Sequence, residues 1–160
     1  MEKSKIDLTI STLDDLNLFF KFQLDVDANL MAAFTSMDHA NKEAYISKYS
    51  KFLSDPDILI CTIRLNGIVV GSISKYVMFE ENEITYWIDK DYWGKGIASL
   101  ALNEFLKMES ARPIFGRTAF DNFASQKVLM NNGFVKIGVD KGFANARGIE
   151  IEEFIFKLEI

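Results

Sequence analysis

The chain has one cysteine, one histidine and two prolines in 160 residues. A lone cysteine, Cys61, excludes an intramolecular disulfide and any zinc site built on several thiolates. A lone histidine restricts a Ser-His or Cys-His catalytic pair to His39. That residue sits in the polar stretch Asp38-His39-Ala40-Asn41-Lys42 and reads as exposed or helix-capping. No apolar run is long enough to span a bilayer, and Met1-Glu2-Lys3-Ser4-Lys5 lacks the apolar core of a signal peptide. A cytoplasmic protein without membrane contact is therefore expected. Positive charge is short too: 18 Lys and Arg against 23 Asp and Glu leave a net −5. That sign argues against a nucleic-acid surface and is compatible with a cationic substrate such as an amine. Apolar residues, by contrast, make up 49% of the chain and include 14 Phe, enough to fill the core of one domain over residues 1–160. No linker or internal repeat interrupts it.

The alternation in Ile6-Asp7-Leu8-Thr9-Ile10 predicts a first strand. Ser11 or Thr12 caps a helix with Asp14 and Asp15 in its first turn and Leu13, Leu16, Phe19, Phe20 and Leu24 as its buried stripe. A short helical piece follows from Asp27, and a longer one from about Asn41 to Leu53, stopped by Asp55-Pro56. Ile58 to Leu65 and Ile68 to Met78 form a hairpin through Asn66-Gly67, a dipeptide suited to a type I′ turn. Gly71 marks a bulge in the second strand. Glu80-Glu81-Asn82 makes the next turn, and Glu83 opens a central strand. Beyond it lie a helix from Lys95 to before Pro113, a strand from Ile114 to Phe120 and a helix started by Asp121 and Asn122. Ala124, Val128 and Leu129 face inward on that helix, and Gly133 is its C′ residue. Phe134 to Val139 and Glu150 to Leu158 close the sheet, joined by a loop holding Gly142, Asn145 and Gly148. A strand, helix and strand with a short return imply one parallel, right-handed crossover in an otherwise antiparallel α/β sheet.

The rest of the chain is organised around Ile84-Thr85-Tyr86-Trp87-Ile88 and the following Asp91-Tyr92-Trp93-Gly94-Lys95-Gly96-Ile97-Ala98. The first segment is β-branched and aromatic, hence a strand. Ala98, Ala101, Leu102 and Phe105 then recur at helical spacing. Gly94 and Gly96 thus fall in a strand-to-helix turn, where backbone N–H groups and the helix dipole suit a phosphate. An ordinary tight turn is the alternative. A Walker loop is excluded, because Asp89 stands where its first glycine is needed and no Ser or Thr follows Lys95. The dinucleotide fingerprint fails at Ser99, where it needs a third glycine, and in its position after an antiparallel meander.

Asn122-Phe123-Ala124-Ser125-Gln126-Lys127-Val128-Leu129-Met130-Asn131-Asn132-Gly133-Phe134 resembles the Asn-x-x-[Ala/Ser]…Gly-Phe helix of the GNAT superfamily of acyl-CoA-dependent N-acyltransferases. Tyr92-Trp93-Gly94-Lys95-Gly96-Ile97-Ala98 resembles that family's pyrophosphate loop, and Glu83 to Ile88 the strand before it. The wording Tyr-Trp-Gly-Lys-Gly is similar to the branch containing the ribosomal-protein N-terminal acetyltransferases. The resemblance implies a single α/β (α+β) domain: a mixed, mostly antiparallel sheet with a central parallel strand pair and helices on both faces. It also implies an acetyl-CoA-dependent N-acetyltransferase that uses no metal and acts on an amine of a small molecule or a protein N-terminus. A non-catalytic CoA-binding or sensing module of the same fold is the alternative. The sequence departs from the family pattern twice: Asp91 replaces a Gln or Arg, and Leu129 replaces the tyrosine proposed as acid for the thiol.

By the same resemblance, Gly94, Lys95, Gly96, Ile97 and Ala98 bind pyrophosphate. The strand diverges near Ile88 and offers free backbone groups to the pantetheine arm and an N–H to the developing oxyanion. Asn122 bonds the cofactor arm, or is only a helix cap. Lys127 meets a phosphate, or is a surface lysine. Glu83 is the candidate base for the acceptor ammonium, its alternative being a solvated turn glutamate. Ser125, one helical step from Asn122, donates to the departing thiolate, or simply packs near it. The acceptor pocket is expected between the helices before Asp55 and the Asp140 to Gly148 loop. A homodimer is expected through edge pairing of the final strands.

Overall fold

A computed structural model describes residues 5–160. In chain order the elements are β1 (Ile6–Ile10), α1 (Leu13–Phe22), α2 (Val26–Ala32), α3 (Lys42–Leu53), β2 (Leu59–Leu65), β3 (Ile68–Met78) and β4 (Glu81–Ile88). After a 3-10 turn over Lys90–Tyr92 come α4 (Ile97–Met108), β5 (Ile114–Ala119), α5 (Phe123–Asn131), β6 (Val135–Ala144) and β7 (Ile149–Leu158). The strands make one sheet in the order β1-β2-β3-β4-β5-β7-β6. Among the described residues only β4 and β5 are parallel, as the strand–helix–strand connection requires. Among the described residues no helix is long and apolar enough to cross a membrane.

Alternation along the strands sends successive side chains to opposite faces, and each face has its own core. Ile60 and Cys61 are neighbours on β2. Ile60 packs with Leu16 and Phe19 of α1 and the aromatic face of α3, whereas Cys61 packs with Leu102 and Phe105 of α4 and Leu129 of α5. Helices therefore cover both faces. Leu13 and Leu24, expected in the stripe of α1, are 62% and 39% exposed. Leu13 is the first residue of the helix, and Leu24 lies beyond its C-cap at Gln23. Ala124 is exposed as well, in the first turn of α5.

Glycine explains several local features. Ile63 pairs with Gly71 and Arg64 with Val69, so Val70 is an extra residue beside the expected bulge. A Cβ at Gly71 would lie 2.2 Å from the carbonyl oxygen of Trp87. Asn66 and Gly67 both take positive φ in the expected two-residue turn. The next turn differs from expectation. It consists of Phe79 and Glu80, both at positive φ, while Glu81 and Asn82 already belong to β4. Neither residue favours that region, and Phe79 is 86% exposed. Changing Phe79-Glu80 to Asn-Gly is expected to raise stability by about 1 kcal/mol, seen as a higher urea midpoint at unchanged slope.

The closing hairpin is longer than expected. Asp140 to Ala144 continue β6, leaving only 145–148 as a turn, because each residue from Asp140 to Ala144 finds a partner on β7 between Glu153 and Ile149. A Cβ at Gly142 would meet Phe34 at 3.2 Å, so glycine there lets the segment after α2 pack down on the strand. The turn then clasps that segment. Asn145 donates to the carbonyl of Thr35, Ala146 N–H to that of Ala33, and Arg147 Nε to that of Leu30.

Candidate active site

β4 and β5 share only three ladder positions: Asn82 with Ile114, Glu83 with Phe115 and Ile84 with Gly116. Past Ile84, β4 stays with β3 as far as the Ile88–Gly71 pair, while β5 stays with β7 as far as Ala119–Glu153. The two strand pairs separate and leave a wedge in the sheet. The divergence thus begins after Ile84, four residues earlier than the Ile88 expected from the sequence. Ile88 is also not free there, since its carbonyl accepts from Trp93 Nε1 at 2.9 Å. Glycine at 116 is needed for the packing, because a Cβ would lie 2.8 Å from a methyl of Leu129. A cavity of about 820 Å³ fills the wedge. Tyr86, Ser125 and Leu129 line it from the α5 side, and Tyr76, Arg117, Glu153, Tyr45 and Tyr49 from the α3 side, so it runs through the sheet.

The glycine loop follows the end of β4 and leads into α4. Gly94 and Gly96 have φ of +76° and +73°, and Gly96 is the N-cap of α4 with no side chain bonding the helix terminus. A Cβ at either glycine would meet nothing within 4 Å. The first-turn N–H groups, including those of Ile97 and Ala98, have no partner inside the helix. They border open space that a side chain at 94 or 96 would fill, a cradle that fits a pyrophosphate. The Ile97 side chain is buried in the core and anchors the helix start. Lys95 is exposed, with Nζ 5.5 Å from the Tyr92 ring. Asn132 Nδ2 donates to both the carbonyl and the hydroxyl of Ser99, tying α5 to α4.

Asn122 and Ser125 both line the cavity, whereas Lys127 is exposed and outside its lining. Asn122 Oδ1 accepts from Ser125 N–H at 3.2 Å, so the side chain caps α5. Its Nδ2 reaches the Met31 carbonyl only at 3.5 Å. Asn122→Ala is expected to lower stability by about 1 kcal/mol in chemical denaturation. A fall in coenzyme A affinity beyond that loss would give Asn122 a cofactor role in addition. The Ser125 hydroxyl lies 2.5 Å from the Tyr86 hydroxyl, which also donates to the Ser125 carbonyl at 3.3 Å. Burial pushes the Tyr86 phenol up to about 12, so it stays protonated near neutral pH.

Glu83 is only 1% exposed and is not a solvated turn residue. Arg117 Nε donates to its Oε1 at 3.2 Å, while its Oε2 is buried without a hydrogen-bond partner. Arg117 Nη1 also meets Glu153 at 3.2 Å and Asp140 at 3.6 Å. Burial raises the carboxyls of both Glu83 and Glu153, and the guanidinium pulls them part of the way back. Tyr76, directly opposite Glu83 on β3, is pushed up to about 12, by burial first and by the Glu83 charge second. Glu83 itself stands behind the cavity wall, and Glu153, Arg117 and Tyr76 are the members that face it.

Sequence reasoning missed Tyr76, Tyr86, Arg117 and Glu153. A signal was present: an arginine within Ile114-Phe115-Gly116-Arg117-Thr118-Ala119 is a charge in a buried strand and requires a buried acid. His39 is half-buried rather than exposed and lines the cavity, with Nδ1 3.3 Å from the Ser36 carbonyl. Cys61 is buried, and its thiol is pushed up to about 11 by burial, which leaves it unreactive.

Known proteins carry the same architecture. RimL, a ribosomal alpha-N-protein acetyltransferase solved with coenzyme A, superposes with a TM-score of 0.84 at 18% identity, covering 97% of this chain and 94% of that one. MccE, the microcin C7 self-immunity acetyltransferase solved with acetyl-CoA and AMP, gives 0.79 at 19% identity, with coverages of 97% and 92%. The ribosomal-protein alanine acetyltransferase from Vibrio fischeri gives 0.77 at 18% identity, with coverages of 99% and 95%. No curated protein sequence matches at a significant level. At these identities the likeness establishes the fold. The family model of the acetyltransferase (GNAT) domain, however, matches residues 7–135, most of the chain and all of the wedge up to α5. The chain belongs to the GNAT acetyltransferase domain family.

Proposed function

We propose that this protein is a cytoplasmic acetyl-CoA-dependent N-acetyltransferase that passes acetyl directly to a primary amine of a small molecule or protein N-terminus. One observation carries the reading: a cavity runs through the sheet, with the Ser125 and Tyr86 hydroxyls at one side and the Glu153 carboxylate at the other. The thioester of acetyl-CoA supplies the acyl group. The amides of Gly94 to Ala98, with Lys95 beside them, hold pyrophosphate, and Lys127, exposed on α5, meets a further phosphate. The β4 edge freed past Ile84 offers backbone groups to an arm that pairs like a strand.

On the acceptor side, the Glu83–Glu153 pair around Arg117 takes the ammonium proton, with Glu153 meeting the amine and Glu83 holding Arg117 from behind. Ser125 faces the departing sulfur, and Tyr86 orients the Ser125 hydroxyl and can replenish its proton. Tyr86 thereby brings a phenol from the strand to the helix that carries Leu129 in place of the family's tyrosine. Asn122 holds the start of α5 at the cavity. The outer strand β6 exposes Val135, Ile137, Val139 and Phe143, which makes it the edge for pairing with a second copy.

A thiol-release screen of the full chain with acetyl-CoA across amine classes tests the reading. Amine-dependent release of free thiol is expected, slowed several-fold in Ser125→Ala and Tyr86→Phe. Tight coenzyme A binding with no release for any amine would instead identify a binding or sensing module.

A further inference from the structure

We infer that the acceptor is a primary amine carried on an aromatic or bulky apolar group, of arylalkylamine size, an inference that rests on the acetyl-transfer reading above. The acceptor side of the cavity is walled by rings: Phe22 from α1, Tyr45, Tyr49 and Phe52 from α3, Trp87 from β4, and Phe34 from the segment clasped by the closing turn. The three α3 rings form a continuous cluster, with centroids 4.3 Å apart between Tyr45 and Tyr49 and 5.3 Å between Tyr49 and Phe52, the second pair edge-on. Two polar groups in this wall are already engaged. Trp87 Nε1 donates to the Phe22 carbonyl, and Gln23 Nε2 donates to the carbonyls of Phe20 and His39.

A cluster of acids lies at one end. There Glu83, Glu153 and Asp140 surround one guanidinium, an excess of acid that attracts an ammonium. One charged end and one aromatic body describe the ligand.

The same features count against the other amine classes. A polyamine needs a second acidic pocket, but Lys48 lies over the rings, with Nζ 5.8 Å from Tyr49 and 5.9 Å from Phe52. A peptide needs an unpaired strand edge. On the acceptor side β3 is paired with both β2 and β4, and the β4 edge freed in the wedge is the one the cofactor arm takes.

Calorimetric titration of the full chain, saturated with coenzyme A, tests this with four probes: 2-phenylethylamine, spermidine, glucosamine and an alanine-initiated tripeptide. 2-Phenylethylamine is expected to bind about ten- to a hundredfold tighter than each of the others, the ratio for burying one ring. Tyr49→Leu should weaken it by about three- to tenfold, and Tyr49→Phe should leave it unchanged. Equal or tighter binding of any other probe overturns the inference. So does undetectable binding of 2-phenylethylamine to the wild-type chain, a result that needs no variant to fold. Bound 2-phenylethylamine that never receives acetyl would sink the transfer reading and leave the ligand class standing. Transfer to spermidine or the tripeptide alone would do the reverse.

Discussion

Gly96→Val is expected to abolish coenzyme A binding in a chain that still folds. Gly96 holds φ +73° at the N-cap of α4, and a Cβ there meets no protein atom within 4 Å. Valine therefore brings backbone strain but no internal clash. The strain is on the order of 1–2 kcal/mol, tolerable against a typical domain stability of about 5–15 kcal/mol. Its branched side chain would instead stand in front of the first-turn amides, where the phosphate belongs. Affinity by calorimetry should fall at least about a hundredfold, since several charge-assisted hydrogen bonds are lost together. The thermal stabilisation that coenzyme A gives the wild type should disappear with it. Gly67→Val is the control. Gly67 has φ +84° and open space around it, but lies in the β2–β3 hairpin. It should show the same strain in unfolding and wild-type affinity. If folded Gly96→Val retains affinity, the loop is an ordinary turn.

The parts of the molecule legible in the sequence are those set by near neighbours in the chain. Asn66-Gly67 announces its turn because both residues tolerate positive φ. Gly133 announces the end of α5, where Phe134 N–H returns to the Leu129 carbonyl. Gly94 and Gly96 announce a strand-to-helix turn. Phe79-Glu80 could not be read this way, since the antiparallel register of β3 and β4 forces positive φ on residues that do not prefer it. The length of β6 is likewise set by its partner β7 and by Phe34, outside its own sequence. The site follows the same division. Asn122 and Ser125 belong to a local motif and were found together. Glu83, Arg117 and Glu153 come from three strands, 34 and 36 residues apart, and meet only once the sheet order is known. The divergence after Ile84 depends on β5 following β7, which no stretch around Ile88 records.

Glu83→Gln is expected to lower turnover by about two orders of magnitude while leaving coenzyme A affinity near wild type. Glu83 touches neither side of the cavity directly. Its carboxylate orients Arg117, which in turn holds Glu153 against the wall. Glutamine keeps the shape but removes one negative charge, so Arg117 interacts more fully with Glu153 and lowers the carboxyl of that residue. The ascending limb of kcat/KM, which reports the coupled pair, should therefore move to lower pH. A merely structural role would lower activity without moving the limb.

Stability gives an independent reading. Burial raises the folded-state pKa of Glu83 above its ordinary value of 4.5. Its contribution is thus fully present below 4.5 and is lost as pH rises through the folded value, because the native state binds the proton more tightly than the unfolded chain. The wild type should lose stability over that window, and Glu83→Gln should lose less. The pH–rate profile must be recorded below saturation as well as at it, since slow product release can hide a chemical defect. Wild-type rates and an unmoved limb in both regimes would leave the enzyme to work by positioning a neutral amine alone.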